Sequence, residues 1–117
     1  MIYDDLKTAL TNTGIPFADT AWAVAPSSDF GVVSLDGAGD SVIADGSRVE
    51  SVLEGTVDLF CHNSSLTKMQ TIETVLDGIE FLSWRLNSIQ FEDDTKLTHY
   101  EWVFQFPITV DEDEDDG

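Results

Sequence analysis

Cysteine is nearly absent from this chain, which has Cys61 alone among its 117 residues. A single cysteine cannot form an internal disulfide, and no second thiolate is present to build a metal site with it. Hydrophobic residues make up 42% of the chain, which is enough for a core that folds without covalent cross-links. We therefore expect a globular protein of a reducing compartment such as the cytosol.

Basic residues are also scarce, with five Lys and Arg against 23 Asp and Glu and a formal charge of −18. A surface of this charge repels phosphate backbones and anionic membranes, so direct nucleic-acid binding is not expected. Residues 111–116 contribute six of the negative charges in one run. Such a run cannot be buried, and we expect a solvated acidic tail behind a body that still carries −12.

Long hydrophobic runs are missing as well. No stretch approaches the roughly 20 apolar residues of a membrane-spanning helix. The first residues, MIYDDLK, lack the basic region and the apolar run of a secretion signal. The sequence predicts a protein with no membrane partner that is not exported by a signal.

The first half of the chain predicts one helix followed by strands. Apolar residues recur at helical spacing over residues 2–10, and Gly14 and Pro16 favour a helix end near Asn12 or Thr13. Strands are predicted at Trp22, Val24 and residues 30–35, followed by a tight turn at residues 36–40.

A long β-hairpin is the clearest feature of the middle of the chain. Asp45-Gly46 favours a two-residue turn because both residue types accept positive φ, and the arms are residues 41–44 and 48–61. Side chains alternate along the second arm. One face carries Val49, Leu53, Gly55, Val57, Leu59 and Cys61, and the other carries Glu50, Glu54, Asp58 and His62.

The second half predicts a helix and two strands. Ser64 or Ser65 is a good N-cap for a helix that ends at Gly78. Its apolar stripe is Leu66, Met69, Ile72, Val75, Leu76 and Ile79. Residues 81–91 form a strand whose apolar parity changes, which predicts a bulge near Asn87-Ser88. After a turn at residues 92–95, the last strand alternates with Tyr100, Trp102, Phe104, Phe106 and Ile108 on one face.

This order of elements predicts an α+β fold, in which two α-helices pack on one face of a mostly antiparallel β-sheet and a long β-hairpin protrudes. We expect residues 1–110 to form a single domain and residues 111–117 to be a disordered acidic tail.

No set of residues predicts catalysis. Cys61 and His62 resemble a nucleophile beside a base, but adjacent strand residues point to opposite faces, so a buried structural cysteine is favoured. His62 and His99 alone are too few ligands for a recognisable metal site. The acidic run at residues 92–94 is expected to be a solvated turn. We predict no catalytic, cofactor or metal site and no enzyme.

Several stretches nonetheless follow a known pattern. These are the Gly-Ile-Pro-Phe turn at 14–17, Val-Asp-Leu-Phe at 57–60, Ser-Ser-Leu at 64–66 and the alternating aromatic strand at 100–106. In this order, over nearly all of residues 1–110, the chain resembles the tail terminator family of long-tailed bacteriophages, which includes the tail completion and head-tail joining proteins. The acidic tail is not part of that pattern.

The resemblance implies a structural virion protein without catalysis that is assembled in the host cytoplasm. It would form a ring, usually a hexamer, at the head-proximal end of the tail tube, end tube growth, and join the tail to the head through connector proteins. DNA would pass through the lumen without specific binding, which an acidic wall favours. The hairpin is the candidate subunit contact, since exposed strand edges pair readily with other strands. Its residues are Asp40, Ser41, Val42, Ile43, Asp45, Gly46 and Arg48.

Two other functions fit the acidic composition. One is a DNA-mimic inhibitor, in which Glu50, Glu54 and Asp58 imitate phosphates in the groove of a basic partner. The other is a neighbouring head-tail connector, such as a head completion protein. The DNA mimic predicts tight, salt-sensitive binding without a ring, whereas the terminator predicts a ring.

Overall fold

Two α-helices cover one face of a mostly antiparallel β-sheet, as the sequence predicts. The computed structural model describes residues 2–38, 42–44 and 48–108, with the backbone alone for 42–44 and 48–50. The elements are α1 (Ile2–Thr11), β1 (Phe17–Asp19), β2 (Phe30–Ala38), β3 (Val42–Ala44), β4 (Arg48–Cys61), α2 (Leu66–Gly78), β5 (Ser83–Glu92) and β6 (Leu97–Ile108).

The strands lie in the order β1, β2, β4, β6, β5, and only the β1–β2 pair is parallel. β4 is central and pairs with β6 from Ser51 to Cys61. Its first residues, 48–50, pair with β3, whereas its pairing with β2 begins at Leu53. The β3–β4 hairpin therefore extends beyond the end of the main sheet.

The core lies between the helices and one face of the sheet. Alternation places Val57, Leu59 and Cys61 of β4 on this face, because successive strand residues point to opposite sides. β6 supplies four large side chains, which are Tyr100, Trp102, Phe104 and Phe106. The helices close the core with Leu6, Leu10, Ile72 and Leu76. The alternation predicted for β4 and β6 is confirmed where side chains are described.

Helix α2 begins where the sequence predicts. The Ser65 side chain accepts a hydrogen bond from the Lys68 amide, and the Ser65 amide donates to the Tyr100 hydroxyl at 2.9 Å. The second bond anchors the start of the helix on β6. Leu66 was expected on the buried stripe, but it is 68% exposed because it lies in the first turn, before the helix runs across the sheet.

The bulge predicted in β5 is confirmed. The pairing with β6 shifts between Leu86 and Ser88, so Asn87 is the extra residue. Leu86 then lies opposite Trp102, and Ile89 lies opposite Tyr100, which places both on the helix side of the sheet. The bulge therefore keeps the apolar residues of β5 on one face despite their change of parity.

Three local predictions are wrong. Trp22 and Val24 are not in a strand; β1 lies earlier, at Phe17–Asp19, because it gains hydrogen bonds by pairing with residues 31–33 of β2. The strand predicted from residue 81 begins at Ser83, since Phe81 has a φ of +70°.

The tight turn predicted at residues 36–40 is the third. Residues 36–38 belong to β2, and Gly37 and Ala38 pair with Glu54 and Leu53 across a register shift. The long β4 ladder outweighs the local turn preference of Asp36-Gly37. The rest of that predicted turn lies outside the described residues.

Candidate assembly surfaces

The predicted contact hairpin is paired as expected in its backbone. Val42, Ile43 and Ala44 lie opposite Glu50, Val49 and Arg48. Asp40, Ser41, Asp45 and Gly46 lie outside the described residues. The structure thus places Val42, Ile43 and Arg48 in one two-stranded extension of the sheet, and the contact assigned to it remains a prediction.

The second surface is the sheet face opposite the helices, which we call the open face. Its acidic side chains are Glu54 and Asp58 of β4, Glu92 of β5 and Glu101 of β6, all half-buried. Arg85 is the one Lys or Arg at the described open-face positions of these three strands. This face therefore concentrates negative charge on a regular surface, with His99 near its centre.

His99 connects three elements of the open face. Its Nε2 lies 2.6 Å from Asp58 Oδ1 on β4, and its Nδ1 lies 3.4 Å from Glu92 Oε2 at the end of β5. The ring stacks on Phe60 with centroids 4.3 Å apart, and Phe60 stacks in turn on Phe30. No sequence pattern indicates this cluster, since Asp58 and His99 meet only in the β4–β6 register.

The geometry identifies the charge state of His99. Both ring nitrogens face carboxylate oxygens, and a neutral imidazole has one N–H whereas imidazolium has two. The hydrogen bond to Asp58 raises the pKa of His99, and the charges of Asp58, Glu92 and Glu101 act in the same direction, against the opposing effect of burial. These contacts favour the protonated form of His99, whose positive charge offsets part of the acidic open face.

The His99 cluster predicts a pH dependence of stability. A pKa raised by folding stabilises the protein fully below the unfolded value of about 6.5, and this contribution is lost as pH rises through the folded value. In urea unfolding, the wild type should lose stability between about pH 6 and about pH 9. The His99→Gln variant should lose less unfolding free energy over the same pH interval.

The matched control is Gln70→Ala, which removes an exposed side chain of α2 without a titratable group. It should keep the wild-type difference in unfolding free energy between the two pH values. Equal pH profiles for the wild type and His99→Gln would contradict the assignment of a charged His99.

Most open-face carboxylates already accept hydrogen bonds. Gln105 Nε2 donates to Glu54 Oε1 at 2.7 Å, and Asn87 Nδ2 donates to Glu101 Oε1 at 2.8 Å. Arg85 donates to the Asn87 amide oxygen at 2.7 Å rather than to a carboxylate. The open face is thus a cross-linked polar surface whose acids are held in place by their neighbours.

A separate ion cluster fixes the start of α2 to the loop before β2. Asp29 accepts hydrogen bonds from the Lys68 ammonium, the His62 amide and the His62 ring. Burial alone would raise the pKa of Asp29, but these bonds hold it well below its usual range. His62 and His99 therefore bond different carboxylates.

Other candidate chemistry finds no support in residues 2–38, 42–44 and 48–108. Burial raises the pKa of the Cys61 thiol to about 11, which makes it a poor nucleophile at neutral pH. Within these ranges no group of three or more His, Cys, Asp or Glu side chains is arranged to hold a metal ion. Neither described helix has the length and apolar character needed to cross a membrane.

A protein of known structure has a similar fold. Neither a protein-family profile nor a curated protein matches the sequence. Among solved structures, the chain is similar to one from the virion of a native gene transfer agent particle, with a TM-score of 0.55 and 10% identity. The match covers 91% of this chain and 90% of that one. The two chains share a fold. At this identity, the likeness shows the fold alone.

Proposed function

We propose that the chain is a non-enzymatic structural protein of a phage-like virion and, within it, the tail terminator. The likeness in fold to a chain of a gene transfer agent virion, over nine-tenths of both chains, carries this proposal. In this role the chain forms a ring, a hexamer in the family it resembles, at the head-proximal end of the tail. The ring ends growth of the tail tube and joins the tail to the head.

The acidic open face supports a role around DNA. Glu54, Asp58 and Glu101 lie on neighbouring strands of one exposed face, and a wall of this charge repels phosphates instead of binding them. A lumen lined in this way lets DNA pass without specific contacts. His99 reduces the repulsion between neighbouring carboxylates.

The hairpin supports contacts with other subunits. β3 and residues 48–50 of β4 pair with each other beyond the reach of β2 and β6. A backbone extension beyond the main sheet offers strand edges with which a neighbouring subunit is able to pair. We assign it to contact with a second subunit, and assign the tail tube protein and the head-tail connector proteins as the further partners.

The test is the mass of the purified chain by light scattering over a salt series, alone and with a tail-tube preparation. With 18 excess negative charges per chain, subunits should separate at low salt and assemble when salt or the tube compensates. We expect a species with the mass of a ring when the salt concentration is raised or the tail tube is present. We expect docking on the tail tube to trigger assembly. A ring that forms at low salt without the tube would contradict this expectation.

A shortened hairpin sharpens this test. Replacing residues 42–48 by two glycines should leave a folded monomer and weaken ring formation by about tenfold or more, a loss of about 1.4 kcal/mol. Deleting residues 111–117 is the matched control and should leave the ring intact. If both variants form rings equally well, the hairpin is not part of the subunit contact.

The open face also favours a second function, a DNA-mimic inhibitor. Its carboxylates would imitate phosphates in the groove of a basic nuclease or repressor. Against it, Glu54, Asp58 and Glu101 already accept hydrogen bonds within the chain. A monomer at every salt concentration that binds such a partner, and loses binding on Glu54→Gln with Asp58→Asn, would favour the mimic over the terminator.

A head completion protein is the closest alternative within the same machine. It shares the acidic and non-enzymatic character and differs in position. The tube preparation separates the two, since a terminator binds the free end of the tail tube, whereas a head completion protein binds the head-side connector.

A further inference from the structure

The outer edge of β5 lacks a neighbour in the described part of the chain. β5 is ten residues long and pairs with β6 alone among the described strands. It has no proline, its charged residues are Arg85 and Glu92, and its bulge at Asn87 precedes residues 90–92, so this last part of the strand has few of the features that protect edge strands. Ile89 is 51% exposed and Phe91 is 59% exposed, both on the helix side of the sheet. This edge is suited to pairing with another strand.

A second strand edge without a described neighbour lies at the opposite side of the sheet, in β2. β1 covers residues 31–33 of β2 and no more. In the described ranges, residues 34–38 of β2 therefore have β4 on one side and no strand on the other. Leu35 is 37% exposed and lies opposite Gly55, on the helix side like Ile89 and Phe91.

The two edges also have matching directions. The β2–β4, β4–β6 and β6–β5 pairs are all antiparallel, so β2 and β5 run in opposite directions. A second copy placed beside the first without turning over brings its β2 antiparallel to β5. The helix sides of both sheets then lie on the same side, together with their exposed apolar residues.

We propose that residues 90–92 of one copy pair antiparallel with residues 34–36 of a second copy, on the near side of the register shift between Leu35 and Gly37, with Phe91 packed against the second copy's Leu35. This inference rests on the proposed function, and it names a subunit contact separate from the hairpin. The contact joins two different edges, so each copy uses both, and repetition closes a ring when the rotation between copies permits. Gln90 lies opposite the second copy's Asp36, whose carboxylate it is able to cap.

Cysteine cross-linking tests the contact in the full-length chain. Asp36 and Gln90 both lie on the open-face side of their strands, so Asp36→Cys combined with Gln90→Cys places two thiols across the proposed contact. Native Cys61 is fully buried and should not react. Under conditions that give the ring, mild oxidation should yield covalent oligomers up to the ring size. Each single variant should give no species larger than a dimer.

Ile89→Lys provides a second variant that leaves the core intact. A lysine at an exposed edge position opposes strand pairing, so ring formation should fall by about tenfold or more with an unchanged circular dichroism spectrum. Val24→Lys is the control, because Val24 is 83% exposed and lies outside both edges; it should assemble like the wild type.

The outcomes separate this inference from the proposed function. A ring that forms without covalent oligomers in the double variant, or that tolerates Ile89→Lys, overturns the edge contact and leaves the terminator proposal standing. Covalent open chains without a ring support the edge contact and contradict the terminator. Absence of both assembly and cross-links at every salt concentration, with and without the tube, overturns both.

Discussion

Gly55→Val is expected to destabilise the fold strongly. Gly55 lies in the middle of β4, between β2 and β6. A Cβ atom added there would lie 2.2 Å from the Ser34 carbonyl oxygen and 2.5 Å from Phe104 Cζ. The carbonyl belongs to the paired backbone of β2, so it cannot move away without breaking the ladder. We expect a loss of about 3 kcal/mol or more, which is a large share of the roughly 5–15 kcal/mol of a typical domain.

Urea unfolding followed by circular dichroism measures this effect. Gly78→Ala is the matched control, because a Cβ at the end of α2 meets nothing within 4 Å. It should change the unfolding free energy by no more than about 1 kcal/mol, in the stabilising direction if at all. Similar midpoints for the two variants would show that the sheet accommodates a side chain at Gly55.

Trp102→Ala is expected to have the second large effect. Trp102 is fully buried in the centre of the core, and its Nε1 donates to Glu73 Oε2 on α2 at 3.0 Å. Truncation leaves a cavity under the helix and removes the bond that joins helix to sheet. A buried tryptophan replaced by alanine costs about 3–5 kcal/mol.

Two milder variants separate packing from hydrogen bonding. Trp102→Phe keeps an aromatic ring and should recover most of the loss, whereas Glu73→Gln keeps a carbonyl acceptor and should cost about 1 kcal/mol. Thermal and urea unfolding of the three variants measure the order of their stabilities. If Glu73→Gln were as unstable as Trp102→Ala, the hydrogen bond to the Glu73 carboxylate would contribute more to stability than the volume of the Trp102 ring.

Regular alternation explains which parts of the fold were predictable. β6 repeats large apolar residues at every second position from Tyr100 to Phe106, and all four are buried. In β5, the parity change between Leu86 and Ile89 had one physical solution, a bulge at Asn87. The N-cap at Ser65 likewise follows from local chemistry. Each of these features is determined by neighbours in sequence.

Features that depend on distant partners were missed. β1 is three residues long and has no periodicity of its own, because its stability comes from pairing with β2. Asp36-Gly37 has the composition of a turn, yet the β4 ladder keeps it in a strand. His99 and Asp58 are 41 residues apart, so their bond becomes visible only when the register is known. The hairpin contact remains a prediction, since four of its seven residues lie outside the described ranges.

The central position of β4 has a consequence for how the chain folds. Its partner β6 is distant in sequence, as the Glu54–Gln105 hydrogen bond across 51 residues shows. Sheets built from such distant pairings close slowly, on a scale of roughly milliseconds to seconds, because a long loop must be ordered first. β6, synthesised after the other described strands, completes the ladder on one side of β4. Until it docks, the apolar faces of β4 and α2 stay exposed, and the many negative charges keep unfinished chains apart during synthesis.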